Sequence, residues 1–71
     1  MNLPNMVSVV SSNLESVGYD GQNLFVQFKN GSIYVYFHVS ESLYQGLLAA
    51  VSKGTFLSQH VKGIFHYERL A

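Results

Sequence analysis

Leu24-Phe25-Val26-Gln27-Phe28 and Ile33-Tyr34-Val35-Tyr36-Phe37 flank the four residues Lys29-Asn30-Gly31-Ser32. Two runs rich in aromatic and β-branched residues around an Asn-Gly pair form the strongest short-range signal for a β-hairpin. Two registers satisfy it. A two-residue type I′ turn pairs Phe28 with Ile33, Val26 with Val35 and Leu24 with Phe37, which puts Phe25, Tyr34 and Tyr36 on the opposite face. A type I turn with Gly31 in a G1 bulge shifts the pairing by one, so that Leu24, Val26 and Phe28 share a face with Tyr34 and Tyr36. Neither face is cleanly polar in either register. Both faces are therefore expected to be covered, one by helices and the other by a terminus or a second subunit.

Outward from the hairpin, Glu15 to Asp20 forms another strand, and Asp20-Gly21 supplies the turn into the next. The first half reads as a three-stranded antiparallel meander, and Met1 to Asn13 can add an edge strand through Val7 and Val9. After Val39 the period changes. Leu43, Tyr44, Leu47, Leu48 and Val51 fall on one helical face. Ser40 suits the N-cap, Glu41 complements the dipole in the first turn, and Gly54 suits the left-handed position after the helix. Thr55 is then expected to cap a short second helix with Phe56, Leu57 and Val61 inward and Gly63 closing it. Ile64 to Leu70 reads as extended and able to return to the sheet. The expected class is α+β, a three-stranded meander with edge strands from the termini, followed by a helical pair packed on the sheet. Leu24, Val26, Phe28, Leu47 and Leu48 are the expected core, and Gly31 and Gly54 the expected sites of positive φ.

The chain has 71 residues, of which 48% are apolar and 14% aromatic, so residues 1–71 make a single domain and disorder is excluded. With no cysteine, packing alone holds the fold, at a total stability of roughly 4–10 kcal/mol. Net charge is zero, which argues against generic nucleic-acid binding by a basic surplus. The distribution is uneven. Residues 1–51 carry Lys29 against Glu15, Asp20 and Glu41, a net −2, whereas residues 52–71 carry Lys53, Lys62 and Arg69 against Glu68, a net +2. Only 11% of residues are charged, and weakly charged neutral surfaces promote association, so self-association is expected. No targeting segment and no apolar run longer than five residues is visible, so the expected location is cytoplasmic, with no membrane partner.

The motifs that carry chemistry are few. Phe25-Val26-Gln27-Phe28 matches the end of an RNA-recognition signature but lacks its basic residue and glycine, and Gly18-Tyr19-Asp20-Gly21 lies between strands, where it makes a turn. His38, His60 and His66 with Glu68 lack the geometry of a metal site. There is no nucleophile elbow, no close carboxylate pair and no phosphate-cradling glycine loop, so neither an enzyme nor a cofactor is expected. Lys53, His60, Lys62 and Arg69 form the one basic cluster. With Tyr34 and Tyr36 they are the candidate nucleic-acid residues.

Several short strings then occur in fixed order: Ser11-Ser12-Asn13-Leu14, Val17-Gly18-Tyr19-Asp20, Leu24-x-Val26-x-Phe28 and Gly31-Ser32-x-Tyr34-x-Tyr36. They continue through Val39, Tyr44, Leu47-Leu48-x-Ala50, Ser52-x-Gly54-x-Phe56-Leu57, Val61 and Tyr67. Together they resemble the KTSC domain, a small bacterial and phage domain named for its place at the C-terminal end of some lysyl-tRNA synthetases. The resemblance runs from about residue 9 to residue 70. Ser40 stands where the family commonly has proline and Ser58 where asparagine is frequent, and both substitutions are compatible with the expected helices. The resemblance implies a non-catalytic module, with RNA or a ribonucleoprotein suggested by the synthetase association. Its spacing around Gly31 favours the bulged register. The competing expectation is an interaction module that homo-oligomerises and takes no nucleic acid.

Overall fold

The structure is a computed structural model that describes residues 2–71; Met1, the first residue of the expected domain and edge segment, lies outside the described residues. Five antiparallel strands lie in the order of the sequence: β1 (Val7–Ser8), β2 (Leu14–Tyr19), β3 (Leu24–Phe28), β4 (Ile33–Tyr36) and β5 (Tyr67–Arg69). Helices α1 (Glu41–Ala49) and α2 (Lys53–His60) come between β4 and β5. The architecture is α+β, a meander extended by one strand at each end, with the helical pair on one face.

The hairpin adopts the bulged register. Leu24 pairs with Tyr36 and Val26 with Tyr34. Phe28 N–H donates to the Ser32 carbonyl at 2.8 Å, Gly31 N–H donates to the Phe28 carbonyl at 2.9 Å, and Gly31 has φ +94°. That conformation suits glycine, and the Asn30 side chain locks it by accepting from Ser32 N–H (3.0 Å) and Ser32 Oγ–H (2.7 Å).

A second irregularity was not visible in the pattern. The register of β2 against β3 slips between Leu14 and Ser16. Strict alternation would send Leu14 and Val17 to opposite faces, and the extra residue puts both in the core.

The core joins Leu14, Val17, Leu24, Val26 and Tyr36 of the sheet to Val39, Tyr44, Leu47, Leu57 and Val61. Tyr19 stacks on Tyr44 (5.1 Å, 16°) and donates its hydroxyl to the Val39 carbonyl. Phe25 and Val35 are fully buried on the opposite face, outside that cluster. There Gly18, the partner of Phe25, lies against Pro4–Met6, so the N-terminal segment covers the back of the sheet.

The helix boundaries and the pattern of burial correct several expectations. Ser40 does cap α1, accepting from Leu43 N–H at 3.2 Å, but the helix ends in an extended Ala50. Ser52, not Thr55, caps α2, with its Oγ accepting from Thr55 N–H (3.4 Å) and donating to Thr55 Oγ1 (2.8 Å). Gly54 therefore sits inside the first turn of α2 with ordinary helical backbone, and the positive-φ glycines are Gly21, Gly31 and Gly63. Val51 lies past the end of α1, leaves the helical stripe and is fully exposed. Phe28 and Leu48 are only half-buried, Phe28 at the end of β3 and Leu48 on the flank of the α1 stripe.

Candidate nucleic-acid interface

The bulged register puts Tyr34 and Tyr36 on the helix-bearing face, and β5 pairs Tyr36 with Tyr67 and Tyr34 with Arg69. The helical pair does not cover this end of the sheet. Val61 is buried as α2 closes, and the chain then turns at Lys62 and Gly63 (φ +78°) along the border of an open groove. The groove, about 540 Å³, has Phe28, Tyr34, Tyr36 and Tyr67 as its aromatic lining, with Asn30, Ser32, Lys62 and Gly63 completing it.

The rings meet at angles rather than in parallel stacks. Phe28 meets Tyr34 edge-on (5.5 Å, 89°), while Tyr67 tilts against Tyr34 (5.8 Å, 41°) and Tyr36 (5.9 Å, 40°). Two cations flank them. Lys62 Nζ lies 5.1 Å from the centre of the Phe28 ring, and the Arg69 guanidinium 6.0 Å from that of Tyr34. Arg69 Nε–H also donates to the Ala71 carbonyl oxygen at 2.9 Å. Tyr36 is buried, and that burial, followed by the neighbouring Tyr34 and Tyr67, pushes its hydroxyl above the usual tyrosine range. It stays protonated at neutral pH, leaving the half-buried Tyr34 and the 61%-exposed Tyr67 as the accessible rings.

Of the six candidate residues, four meet here: Tyr34, Tyr36, Lys62 and Arg69. Lys53 is placed elsewhere, its ammonium donating to the Ala50 carbonyl at 2.9 Å, where it satisfies the end of α1. His60 packs at a tilt against Phe56 (4.6 Å, 44°). Phe28 and Tyr67 were missed as site residues. Tyr67 was detectable as the residue two before Arg69 on a strand, where side chains alternate and both must share a face. A separate polar recess beside Ser52 is lined by Ser12, Asn13, Ser52, Gly54, Thr55, Ser58 and Gln59, and Ser52 and Thr55 there already serve the α2 cap.

His38 adopts a left-handed backbone (φ +60°), with its N–H held by Asn23 Oδ1 (3.1 Å) and its ring 3.0 Å from the Gln22 amide. Among the described residues no three His, Asp or Glu side chains come together as a metal site, and no helix is long and apolar enough to cross a membrane.

The sequence profile of the KTSC domain matches residues 10–65. This chain belongs to the KTSC domain family. A crystallised KTSC domain protein from Yersinia pestis superposes with a TM-score of 0.88 at 36% identity, covering 94% of this chain and 97% of that one. A protein from Tsukamurella paurometabola is 40% identical over 62 residues, 84% of this KTSC domain and 92% of its own length. The lysine–tRNA ligase of Nostoc punctiforme is 40% identical over 50 residues, which is 70% of this chain but 9% of the ligase. This KTSC domain thus matches a small part of the synthetases and nearly the whole of the free-standing relatives.

Proposed function

We propose that this KTSC domain is a non-catalytic cytoplasmic module that binds single-stranded RNA in the groove between the β3–β4 hairpin and β5. The observation that supports the reading is the placement of two accessible tyrosines, Tyr34 and Tyr67, in a groove that Lys62 lines and Arg69 flanks. Bases stack on such rings whatever their sequence, and flanking cations meet the phosphates. The resemblance to a segment of lysine–tRNA ligases points to the same ligand class.

The test is binding of a labelled eight-nucleotide single-stranded RNA followed by fluorescence anisotropy across a salt series. Two phosphate contacts give a slope of log affinity against log salt of about −1.4 on single strands. Tyr67→Ala should weaken binding by roughly 5–150-fold, the equivalent of losing one stacked base. Lys62→Gln with Arg69→Gln should abolish binding while leaving the melting temperature in place, because exposed charges add little stability. No binding at ~20 mM salt and millimolar protein would overturn the reading.

Self-association is the second reading, favoured by exposed Leu3, Val7 and Val10 beside the edge strand β1. It requires a melting temperature that rises with protein concentration.

A further inference from the structure

We infer that the groove discriminates among bases, preferring those that present keto oxygens, uracil foremost, over those that present an amino group in the same place. The inference rests on the RNA reading above and goes beyond it to the chemistry of base choice.

The argument starts from Asn30. Its side-chain oxygen accepts from both the N–H and the hydroxyl of Ser32, at 3.0 and 2.7 Å. A backbone N–H can only donate, so the atom facing it must be the carboxamide oxygen, and the two bonds occupy both of its lone pairs. The carboxamide nitrogen is left with two hydrogens and no partner among the described residues, on a side chain that lines the groove. Ser32 Oγ, having given its hydrogen to Asn30, keeps only acceptor lone pairs, but the residue is buried and turns little of that oxygen to the groove.

The remaining polar groups point the same way. Lys62 lines the groove and Arg69 flanks it, and both side chains can only donate. No carboxylate lines it, and Glu68 pairs with Val35, whose side chain lies on the other face of the sheet. Apart from the tyrosine hydroxyls, which can act in either sense, the exposed polar side chains at the groove are donors. An acceptor on the ligand finds a partner, whereas an amino group is turned toward another donor and loses its hydrogen bond.

Uracil and cytosine give the cleanest comparison. They have the same ring size, and position 4 carries a keto oxygen in one and an amino group in the other. Octamers of uridine and of cytidine, titrated into wild type at low salt, should differ about five- to tenfold in favour of uridine, the effect of one hydrogen bond made or lost. Asn30→Asp supplies the discriminating variant. Aspartate still accepts from Ser32 and tolerates the turn, but it replaces the outward donors with an acceptor. Its charge weakens both oligomers alike, so the ratio is the readout, and that ratio should fall to one or invert. A melting curve matching wild type confirms that the turn is intact.

Equal affinities for the two oligomers in wild type, a preference for cytidine, or a ratio that Asn30→Asp leaves unchanged would each overturn the inference while leaving RNA binding standing. Failure of both oligomers to bind overturns the inference together with the reading beneath it.

Discussion

Replacing Gly18 by alanine sets two opposite effects against each other. Alanine restricts the unfolded chain more than glycine does, which in a strand interior favours folding by about 0.5–1 kcal/mol. A Cβ at this position, however, would lie 2.7 Å from Met6 Sδ, 2.9 Å from the Asn5 carbonyl oxygen and 3.0 Å from Pro4 Cγ. The thioether can swing aside, but the carbonyl and the proline ring move only with the backbone. The N-terminal segment must lift or β2 must shift, and overpacking of this kind costs about 1–3 kcal/mol. The clash wins, with a net loss of up to about 2.5 kcal/mol. At about 4–8 °C per kcal/mol for a domain of this size, the melting temperature should fall by up to about 20 °C. Thermal melts by circular dichroism measure it directly. In a chain that begins at Val7 the same substitution has nothing left to strike and should raise the melting temperature slightly. A rise in the full chain, or an equal fall in both chains, would refute the account of how the back of the sheet is covered.

Leu47→Ala should cost about 2–5 kcal/mol, because Leu47 is fully buried in the main core. Against a total of roughly 4–10 kcal/mol the variant should lose most of its folded population at physiological temperature, and a melt within about 2 °C of wild type would contradict the core. Gly31→Ala and Gly54→Ala should have opposite signs. The first forces a side chain to φ +94° and costs about 1–2 kcal/mol, although nothing lies within 4 Å of the new Cβ. The second removes a helical glycine in a space that accepts a methyl group and should gain up to about 1 kcal/mol. Chemical denaturation of the pair reads both. Asp20 predicts an acid dependence. Hydrogen bonds, foremost that from Asn23 N–H at 2.7 Å, hold its carboxyl below the usual range. A folded pKa below the unfolded one stabilises fully above about pH 4, and that stabilisation is lost as pH falls through the folded pKa. Asp20→Asn should flatten the drop in urea midpoint between pH 5 and pH 2, and an unchanged drop would dismiss the contribution.

What the sequence revealed was local chemistry with its partner close by. Asn30-Gly31 and Ser40 named their own turn and cap, because the groups they satisfy lie two or three residues away. Gly54 misled because glycine suits both a helix end and a helix start. The difference lay in Ser52, whose hydroxyl reaches Thr55 and begins α2 at once. The slip at Glu15 and the packing of Pro4–Met6 on Gly18 had no local signature, since both answer to strands distant in the chain. The site was legible to the same degree. Tyr34, Tyr36, Lys62 and Arg69 were in view as candidates, but whether a lysine faces a groove or a helix end depends on tertiary placement. Lys53 and Lys62 look alike in the sequence, and only the fold separates them.

The strand order has a kinetic consequence for the groove. β2, β3 and β4 join through turns of a few residues, whereas β5 reaches β4 only across both helices. Closing so long a loop is the slow, entropically costly step, so this edge zips last. It also opens readily. β5 is three residues long and all three are exposed, so beyond its ladder to β4 only Tyr67 against Tyr34 and Tyr36 and Arg69 over Tyr34 hold it. Tyr67 and Arg69 ride on that strand, and each opening removes one wall of the groove while the β3–β4 hairpin stays behind. A ligand laid across Tyr34 and Tyr67 ties the two walls together, so occupancy slows amide hydrogen exchange at residues 67–69 more than anywhere else in the sheet. The last strand to dock thereby reports whether the groove is filled.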